Sequence, residues 1–245
     1  MTDYSTQKLQ CYCCGKASEH SVLMSSNSRG SPDLDQRPPK MYRWTIGSWL
    51  QECPYCGYVA PSIDKGDAKA RKFFESDEFR VASLDPSPDP VTRRFLVRAA
   101  QRAYQGERRL AFLSTLSAAW VADDANQPTE AASLRLRAAR HLEGPRITSI
   151  DTRLLLLDVL RRASSWEAAE ALAVELTAEE LGYPFAEIVA FHRDKIAVRD
   201  DARYTISQAL EDKPPPPPPP PTAEDQERIN AIARHIKIIP NPRRT

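Results

Sequence analysis

From about residue 66 to residue 210, apolar side chains recur every three or four positions. That spacing places them on one face of an α-helix, so it predicts a series of amphipathic helices separated by proline, glycine or short polar runs. Two clear stripes are Leu96, Ala99, Ala100, Ala103 and Tyr104, and then Leu113, Leu116, Ser117, Trp120 and Val121. This part of the chain, residues 66–212, is therefore expected to be all-α.

Short breaks between the stripes predict that the helices are joined as antiparallel hairpins. The expected pairs are residues 107–123 with 128–142 and residues 150–163 with 165–181. Ser164 and Glu167 have the spacing of a capping box, which favours a helix start at Ser165. Ala132 and Ala169 lie 37 residues apart, close to the period of about 34 residues in tetratricopeptide repeats. We therefore predict hairpins of the tetratricopeptide-like, α-solenoid type.

Several side chains in this region are expected to have structural roles. His192 lies on an apolar stripe without a paired nucleophile or carboxylate motif, which favours a satisfied buried histidine over a catalytic one. Trp120 and Trp166 are expected in the core, and Asp123 and Asp124 mark a helix end. Three arginines are expected on solvated helix faces: Arg135, Arg137 and Arg140.

The N-terminal residues lack this periodicity and contain all five cysteines. Two pairs have the same two-residue gap and a following glycine: Cys11 with Cys14, and Cys53 with Cys56. Two thiolates at this spacing curl around one Zn²⁺, and the glycine permits the tight turn whose amides point back at sulfur. We predict a closed, structural Zn²⁺ site in a small β zinc-ribbon module over residues 1–65.

Other uses of these cysteines are less favoured. Cys13 lies between the ligands, but only Cys11 with Cys14 repeats the gap of the second pair. His20 lies near Cys14, yet an exposed histidine is the simpler interpretation. Disulfides are disfavoured by the odd cysteine count and by the lack of a secretory leader. The 38 residues between the pairs exceed the usual zinc-ribbon gap of about 15–20, so an insert is expected.

This insert is a polar loop with prolines at both ends, and it brings Asp33, Asp35 and Arg37 together in the sequence. One interpretation is a recognition or second-metal loop, because an extended backbone points both carboxylates the same way. We favour a turn in which the aspartates accept backbone hydrogen bonds and Arg37 pairs with one of them. Strands at residues 21–25 and 42–46 are expected to flank the insert, with Trp49, Leu50 and Tyr58 covering the metal.

Composition and charge limit the classes of function that the chain can have. The net charge is +1, distributed as +1, −3 and +3 over residues 1–65, 66–212 and 213–245. No apolar run approaches the roughly 18 residues of a membrane span, and no signal peptide is evident, so a cytoplasmic protein is expected. Four thiolates leave no open position on zinc, and no nucleophile-elbow or metalloprotease motif is found. We expect no enzyme activity and no small-molecule substrate.

Eight of the 21 prolines form one run, Pro214–Pro221. A polyproline II linker over residues 213–222 would span about 25 Å, and a stiff spacer is favoured over a partner ligand. Residues 223–245 are basic and amphipathic, with Thr222 as the expected helix cap. This tail is expected to bind the chain's own body, a partner groove or an anionic surface.

The cysteine pairs, the insert from Gly30 to Pro38 and the segment from Cys53 to Ala60 together resemble an uncharacterised bacterial family. Its members, described only as a domain of unknown function, look like an N-terminal zinc ribbon followed by tetratricopeptide-like helices. The similarity covers roughly residues 11–210, with residues 118–124 and 157–162 also matching, and is most specific at the cysteines. The resemblance implies a fold and a zinc site but no activity.

Two functions follow from these observations. The leading hypothesis is a cytoplasmic adaptor, in which the zinc module is structural and the helical hairpins present a surface to a protein partner. The alternative is a nucleic-acid-binding protein that uses the ribbon and the basic tail. Residues 1–65 carry a net charge of only +1, which disfavours the alternative because phosphate contacts require many basic side chains.

Overall fold

The computed structural model describes residues 2–84, 89–144 and 147–211, with positions 222, 224, 227 and 228. By its contacts the chain divides into two units, Met1–Lys213 and Pro214–Thr245. The predictions for the polyproline run and for most of the tail lie outside the described residues. In the second unit, Arg228 pairs with Glu224 at 3.1 Å. The predicted boundary near residue 65, within the first unit, stays a prediction.

Two antiparallel hairpins form the N-terminal part of the first unit. Strand β1 (Asp3–Gln10) pairs with β2 (Ala17–Ser25), and the register places Gln10 opposite Ala17. Strand β3 (Gln51–Glu52) pairs with β4 (Val59–Ala60) in a separate sheet. The loop of each hairpin contains one of the two cysteine pairs.

The strand predicted at residues 21–25 lies within β2, but the strand predicted at residues 42–46 is wrong. Helix α1 (Lys40–Arg43) and a 3₁₀ turn (Ile46–Ser48) occupy this stretch. The hydroxyl of Thr45 donates to the carbonyl of Tyr42 at 2.7 Å, and the hydroxyl of Ser48 donates to the carbonyl of Thr45 at 2.7 Å. Such local bonds between side chain and backbone compete with strand pairing and favour turns.

Ten α-helices lie in the described part of the first unit, so the prediction of a mainly α fold with a small N-terminal β module is confirmed. The nine that follow α1 are α2 (Ala68–Phe74), α3 (Asp77–Ser83), α4 (Pro90–Tyr104), α5 (Arg108–Asp124), α6 (Pro128–Arg140), α7 (Ile150–Arg162), α8 (Trp166–Thr177), α9 (Phe185–Ala197) and α10 (Ile206–Leu210). Helices α5 to α8 match the four helices of the predicted hairpins. The solenoid type stays a prediction.

The connections after α5 and α7 have the same backbone geometry. Asn126 and Ser164 adopt positive φ angles of 56° and 55°. In the second connection, the N–H of Ser165 donates to the carbonyl of Leu160 at 2.9 Å, which is the closing bond of a Schellman motif. The predicted capping box of Ser164 with Glu167 is therefore wrong, because Ser164 is the positive-φ residue that follows the C-cap of α7, and Ser165 is the N-cap of α8. Helix α8 nevertheless begins within one residue of its predicted start.

Apolar side chains of the helices form two clusters. One is centred on α4, α5 and α6 and includes Leu50 and Val59 from the second hairpin region. The other is formed mainly by α7, α8 and α9. Trp120 is buried as predicted, whereas Trp166 is only partly buried and lines a cavity, so its assignment to the core is correct only in part. No helix in the described part of the chain is long and apolar enough to cross a membrane.

Candidate metal centre

The loops of the two hairpins are two turns of the same construction. In the first cysteine turn (Cys11–Lys16), the N–H of Cys11 donates to the carbonyl of Lys16 and the N–H of Gly15 donates to the carbonyl of Cys11, both at 2.9 Å. The second cysteine turn (Cys53–Tyr58) repeats both bonds, at 2.8 and 2.9 Å. Gly15 and Gly57 have φ angles of 71° and 72°, a region that favours glycine.

These turns bring four sulfur atoms together from opposite ends of the insert. The Sγ atoms of Cys11 and Cys56 are 3.6 Å apart, and those of Cys14 and Cys53 are 3.7 Å apart. All four lie within 4.8 Å of one another. A tetrahedral zinc site with Zn–S bonds of about 2.3 Å has S···S edges of about 3.8 Å, whereas a disulfide is about 2.05 Å long. The four cysteines therefore fit one metal ion.

Burial and backbone amides act in opposite directions on these thiols. Burial raises the pKa of Cys11 and of Cys56, against hydrogen bonds from nearby backbone amides. The backbone amide of Lys16 lowers the pKa of Cys14, which is the most exposed of the four. A bound cation would favour the thiolate at all four positions. The exposed Cys14 gives a chelator access to the site.

The structure separates the predicted ligands from their neighbours. Cys13 and His20 lie outside the four-sulfur group, and burial raises the pKa of Cys13 to about 12. Tyr58 packs in the apolar cluster around the cysteines, as predicted. Trp49 and Leu50 do not cover the metal site, because they pack against the helical cluster of α4 to α6.

Residues 58–66 pack tightly over the cysteine turns. Tyr12 donates its N–H to the carbonyl of Ile63 at 2.8 Å, and the hydroxyl of Tyr58 donates to the carbonyl of Lys65 at 2.5 Å. A Cβ atom on Gly66 would lie 2.7 Å from Cγ of Tyr12 and 2.8 Å from the Tyr58 hydroxyl. Only glycine fits at this position without a shift of the aromatic rings.

Gly66→Ala is therefore expected to destabilise the first unit by about 1–3 kcal/mol, the usual range for overpacking. The matched control is Gly182→Ala, because no atom lies within 4 Å of a Cβ built at Gly182. The control should change the free energy of unfolding by less than about 1 kcal/mol. Urea denaturation of both variants measures the difference, and equal midpoints would contradict the close approach.

Backbone hydrogen bonds in the insert form the turn that the sequence favours. The N–H of Gln36 donates to the carbonyl of Asp33, and the N–H of Asp33 donates to the carbonyl of Arg37, both at 2.9 Å. The N–H of Arg37 donates to Oδ1 of Asp35 at 3.1 Å. The turn also meets residues near α10, since the N–H of Leu34 donates to the carbonyl of Tyr204 at 2.9 Å.

The pairing predicted within this turn is different in the structure. Asp35 and Arg37 are 0% and 1% exposed, so the loop lies against the helices instead of in solvent. Arg37 pairs with Asp124 at 2.5 Å and with Asp123 at 3.5 Å, and both of these aspartates end α5. A ligand-binding role for Asp33, Asp35 and Arg37 stays a prediction, since these contacts are with the chain itself.

Five side chains make up what we call the buried charge cluster: Asp35, Arg37, Asp123, Arg135 and Arg162. Arg162 donates to Asp35 and to Asp123, each at 2.9 Å. Arg135 contacts both oxygens of Asp123, at 2.6 and 3.1 Å. The indole of Trp120 adds a bond to Asp35 at 2.8 Å. The cluster thereby joins the insert to α5, α6 and α7.

The prediction that Arg135 is solvated is wrong, because its side chain is 2% exposed. The spacing of residues in the sequence already indicates that Arg135 is buried. Arg135 lies four residues after Ala131 and three before Ala138, and both alanines are buried. This spacing places Arg135 on the buried face of α6. Its burial requires a charged partner, which Asp123 at the end of α5 supplies.

Asp33 lies beside the cluster with weaker partners. Its Oδ2 is 3.7 Å from Arg43 and 3.7 Å from Arg203, and this buried oxygen has no hydrogen bond. Burial, together with the charge of Asp35, raises the pKa of Asp33 to about 6. Asp33 is therefore the least well compensated carboxylate of the insert.

His192 is buried in α9, as predicted, but it is not satisfied. Neither ring nitrogen has a hydrogen bond, and the nearest carboxylate oxygen, on Asp158, is 4.0 Å away. Burial lowers the pKa of His192 to about 4 against the opposite effect of Asp158. The ring is consequently neutral at pH 7.

No protein-family model, no curated protein and no solved structure matches the chain. The resemblance to the uncharacterised bacterial family therefore stays a prediction. What the structure does give is a cluster of four cysteines able to bind one metal ion, in a mainly helical chain.

Proposed function

We propose that this chain is a non-enzymatic adaptor in which the four cysteines bind one structural Zn²⁺ and the helices bind a protein partner. The observation that carries the proposal is the closed set of four sulfur atoms at tetrahedral spacing. Four thiolates are a common ligand set for structural zinc, and they leave no position for a catalytic water.

The helical surface supports the protein-binding part of the proposal. Apolar side chains are exposed on several helices, among them Leu110, Leu136 and Val174. Trp166 and Val174 line a cavity of about 580 Å³ between α8 and α9. Contiguous apolar surface, as where Trp166 and Val174 line the same cavity, marks protein-binding sites, whereas exposed apolar side chains that stand alone do not.

Purification of the tagged chain from its native cells tests both parts. We expect about one zinc per chain by elemental analysis, and a second protein in stoichiometric amount. A protein partner that remains after nuclease treatment would support the adaptor.

Two results would contradict the proposal. Zinc below about 0.2 per chain would contradict the structural metal. Nucleic acid that co-purifies and is released as salt rises would favour the nucleic-acid function instead, because such binding weakens steeply with ionic strength.

A further inference from the structure

Two arginines one turn apart on α4 line a small cavity. Arg98 and Arg102 line it together with Ser114 and Ser117 of α5, and its volume is about 200 Å³. The rest of the lining is mainly apolar: Leu50, Pro61, Phe95, Leu110 and Leu113. The lining of the cavity therefore combines two cationic side chains with apolar ones.

The positive charge in this cavity is not balanced. Arg102 pairs with Glu107. Arg98 donates to the neutral Oε1 of Gln101 at 2.6 Å, and no carboxylate of the described residues lies within 4 Å of its guanidinium. Burial and the charge of Arg102 lower the pKa of Arg98 to about 10. Arg98 thus has no ion-pair partner within 4 Å, and the charges of Glu107 and Asp67, which favour its cationic form from farther away, offset only part of the cost of burial. A carboxylate of a ligand would supply the missing ion pair.

The guanidinium of Arg98 is held in place by the chain. Gln101, which accepts its hydrogen bond, is 1% exposed, so that bond is fixed from within the helical core. A guanidinium has five N–H donors in a planar fork that matches a carboxylate. The bond to Gln101 leaves several of these donors for a ligand in the cavity.

The lining favours a peptide over a nucleic acid. Leu110 is 39% exposed, and Leu113 is partly buried beside it. Nucleic-acid bases bind through stacking on exposed aromatic rings, but the aromatic side chain in this lining, Phe95, is buried. Aliphatic side chains suit the apolar residues of a protein segment.

We propose that this cavity binds an acidic segment of the protein partner. One carboxylate of that segment contacts Arg98 and Arg102, and the apolar side chain of an adjacent residue packs on Leu110 and Leu113. The inference rests on the adaptor function proposed above, and it names the surface and the partner chemistry.

Fluorescence anisotropy with the full chain tests the proposal directly. The probe is a fluorescein-labelled peptide of four Leu-Glu repeats. We expect saturable binding to the natural sequence and about tenfold or more weaker binding to Arg98→Gln, as for loss of one partner of a half-buried charge pair. The matched control is Arg140→Gln, since Arg140 is exposed on α6 and does not line the cavity. The control should bind the probe as the natural sequence does.

A second variant keeps the test decisive if Arg98→Gln unfolds, which urea denaturation would reveal. Leu110→Glu changes a partly exposed side chain and places a competing carboxylate at the cavity. It should weaken binding of the probe by about tenfold or more. Unchanged binding to a folded Arg98→Gln or to Leu110→Glu would overturn the proposal.

Two further probes distinguish the ligand class. A peptide of four Leu-Gln repeats should bind at least tenfold more weakly, and equal binding would overturn the role of the carboxylate. An oligothymidylate of eight nucleotides should not displace the labelled peptide. If it displaced the labelled peptide at a lower concentration than the unlabelled Leu-Glu peptide does, the cavity would be assigned to nucleic acid. In the native purification, full retention of the partner by Arg98→Gln would overturn this site and leave the adaptor function standing.

Discussion

Removing the metal ion is expected to unfold the hairpin of β3 and β4 and to destabilise the first unit. Strands β3 and β4 have two residues each, too few to hold a hairpin in water on their own. Structural zinc in zinc-finger peptides binds with an apparent free energy of about 10–16 kcal/mol, so we expect a loss of at least about 4 kcal/mol. For a chain of this size, that lowers the melting temperature by about 10 °C or more.

Metal removal is expected to destabilise the helices as well as the hairpin. The reason is that Leu50 and Val59, near the second cysteine turn, pack in the same apolar cluster as Phe95 of α4. When the hairpin of β3 and β4 unfolds, Leu50 and Val59 no longer pack in that cluster. The far-ultraviolet circular dichroism of the helices should largely persist at 25 °C, since the second cluster, formed mainly by α7 to α9, has no residue from the cysteine turns.

Serine variants separate loss of the metal from loss of a thiol. Cys53→Ser removes a buried ligand and should lower the melting temperature as much as a chelator does. Cys13→Ser is the matched control, since Cys13 lies between two ligands but outside the four-sulfur group. It should keep the metal and shift stability by less than about 1 kcal/mol. Equal melting temperatures for the two variants, or a chelator without effect, would contradict the metal site.

The metal site could be predicted from sequence because its information is local. Each cysteine turn needs only a two-residue gap and a following glycine, and the first and second cysteine turns have the same hydrogen bonds. Helical periodicity is equally local, which is why α5 to α8 lie close to their predicted bounds. The strand β1 (Asp3–Gln10) was missed because it contains few apolar residues, and antiparallel pairing with β2 forms it.

The buried charge cluster could not be predicted in the same way. Its bonds join Asp35 to Arg162 across 127 positions and to Trp120 across 85, and no periodicity in either segment specifies the other.

Ser164 illustrates a second limit of prediction from sequence. A serine three residues before a glutamate fits a capping box, but the same serine can end the preceding helix with a positive φ angle. Which role it takes depends on how the two helices pack.

Arg135→Ala is expected to lower the free energy of unfolding by about 3–5 kcal/mol, the usual effect of removing one partner from a buried ion pair. Arg135 bonds both oxygens of Asp123, so its loss leaves a carboxylate largely buried with fewer donors. The matched control is Arg140→Ala in the same helix, where the side chain is exposed. It should change stability by less than about 0.5 kcal/mol. Urea denaturation at pH 7 measures both.

The pH dependence provides an independent check on the cluster. Burial alone would raise the pKa of Asp123, but the hydrogen bonds and charge of Arg135, with Arg162 and Arg37, hold it below its ordinary value. A carboxylate with a depressed pKa stabilises the folded chain above its unfolded pKa of about 3.9, and that stabilisation is lost as the pH falls through the folded value. In Arg135→Ala the carboxylate loses these contacts, so burial raises its pKa and protonation relieves part of the destabilisation as the pH falls. The difference between Arg135→Ala and the natural sequence should therefore be largest at pH 7 and smaller toward pH 4. A difference that does not change between pH 7 and pH 4, or an effect no larger than that of Arg140→Ala, would mean that the contacts of Arg135 with Asp123 do not stabilise the fold.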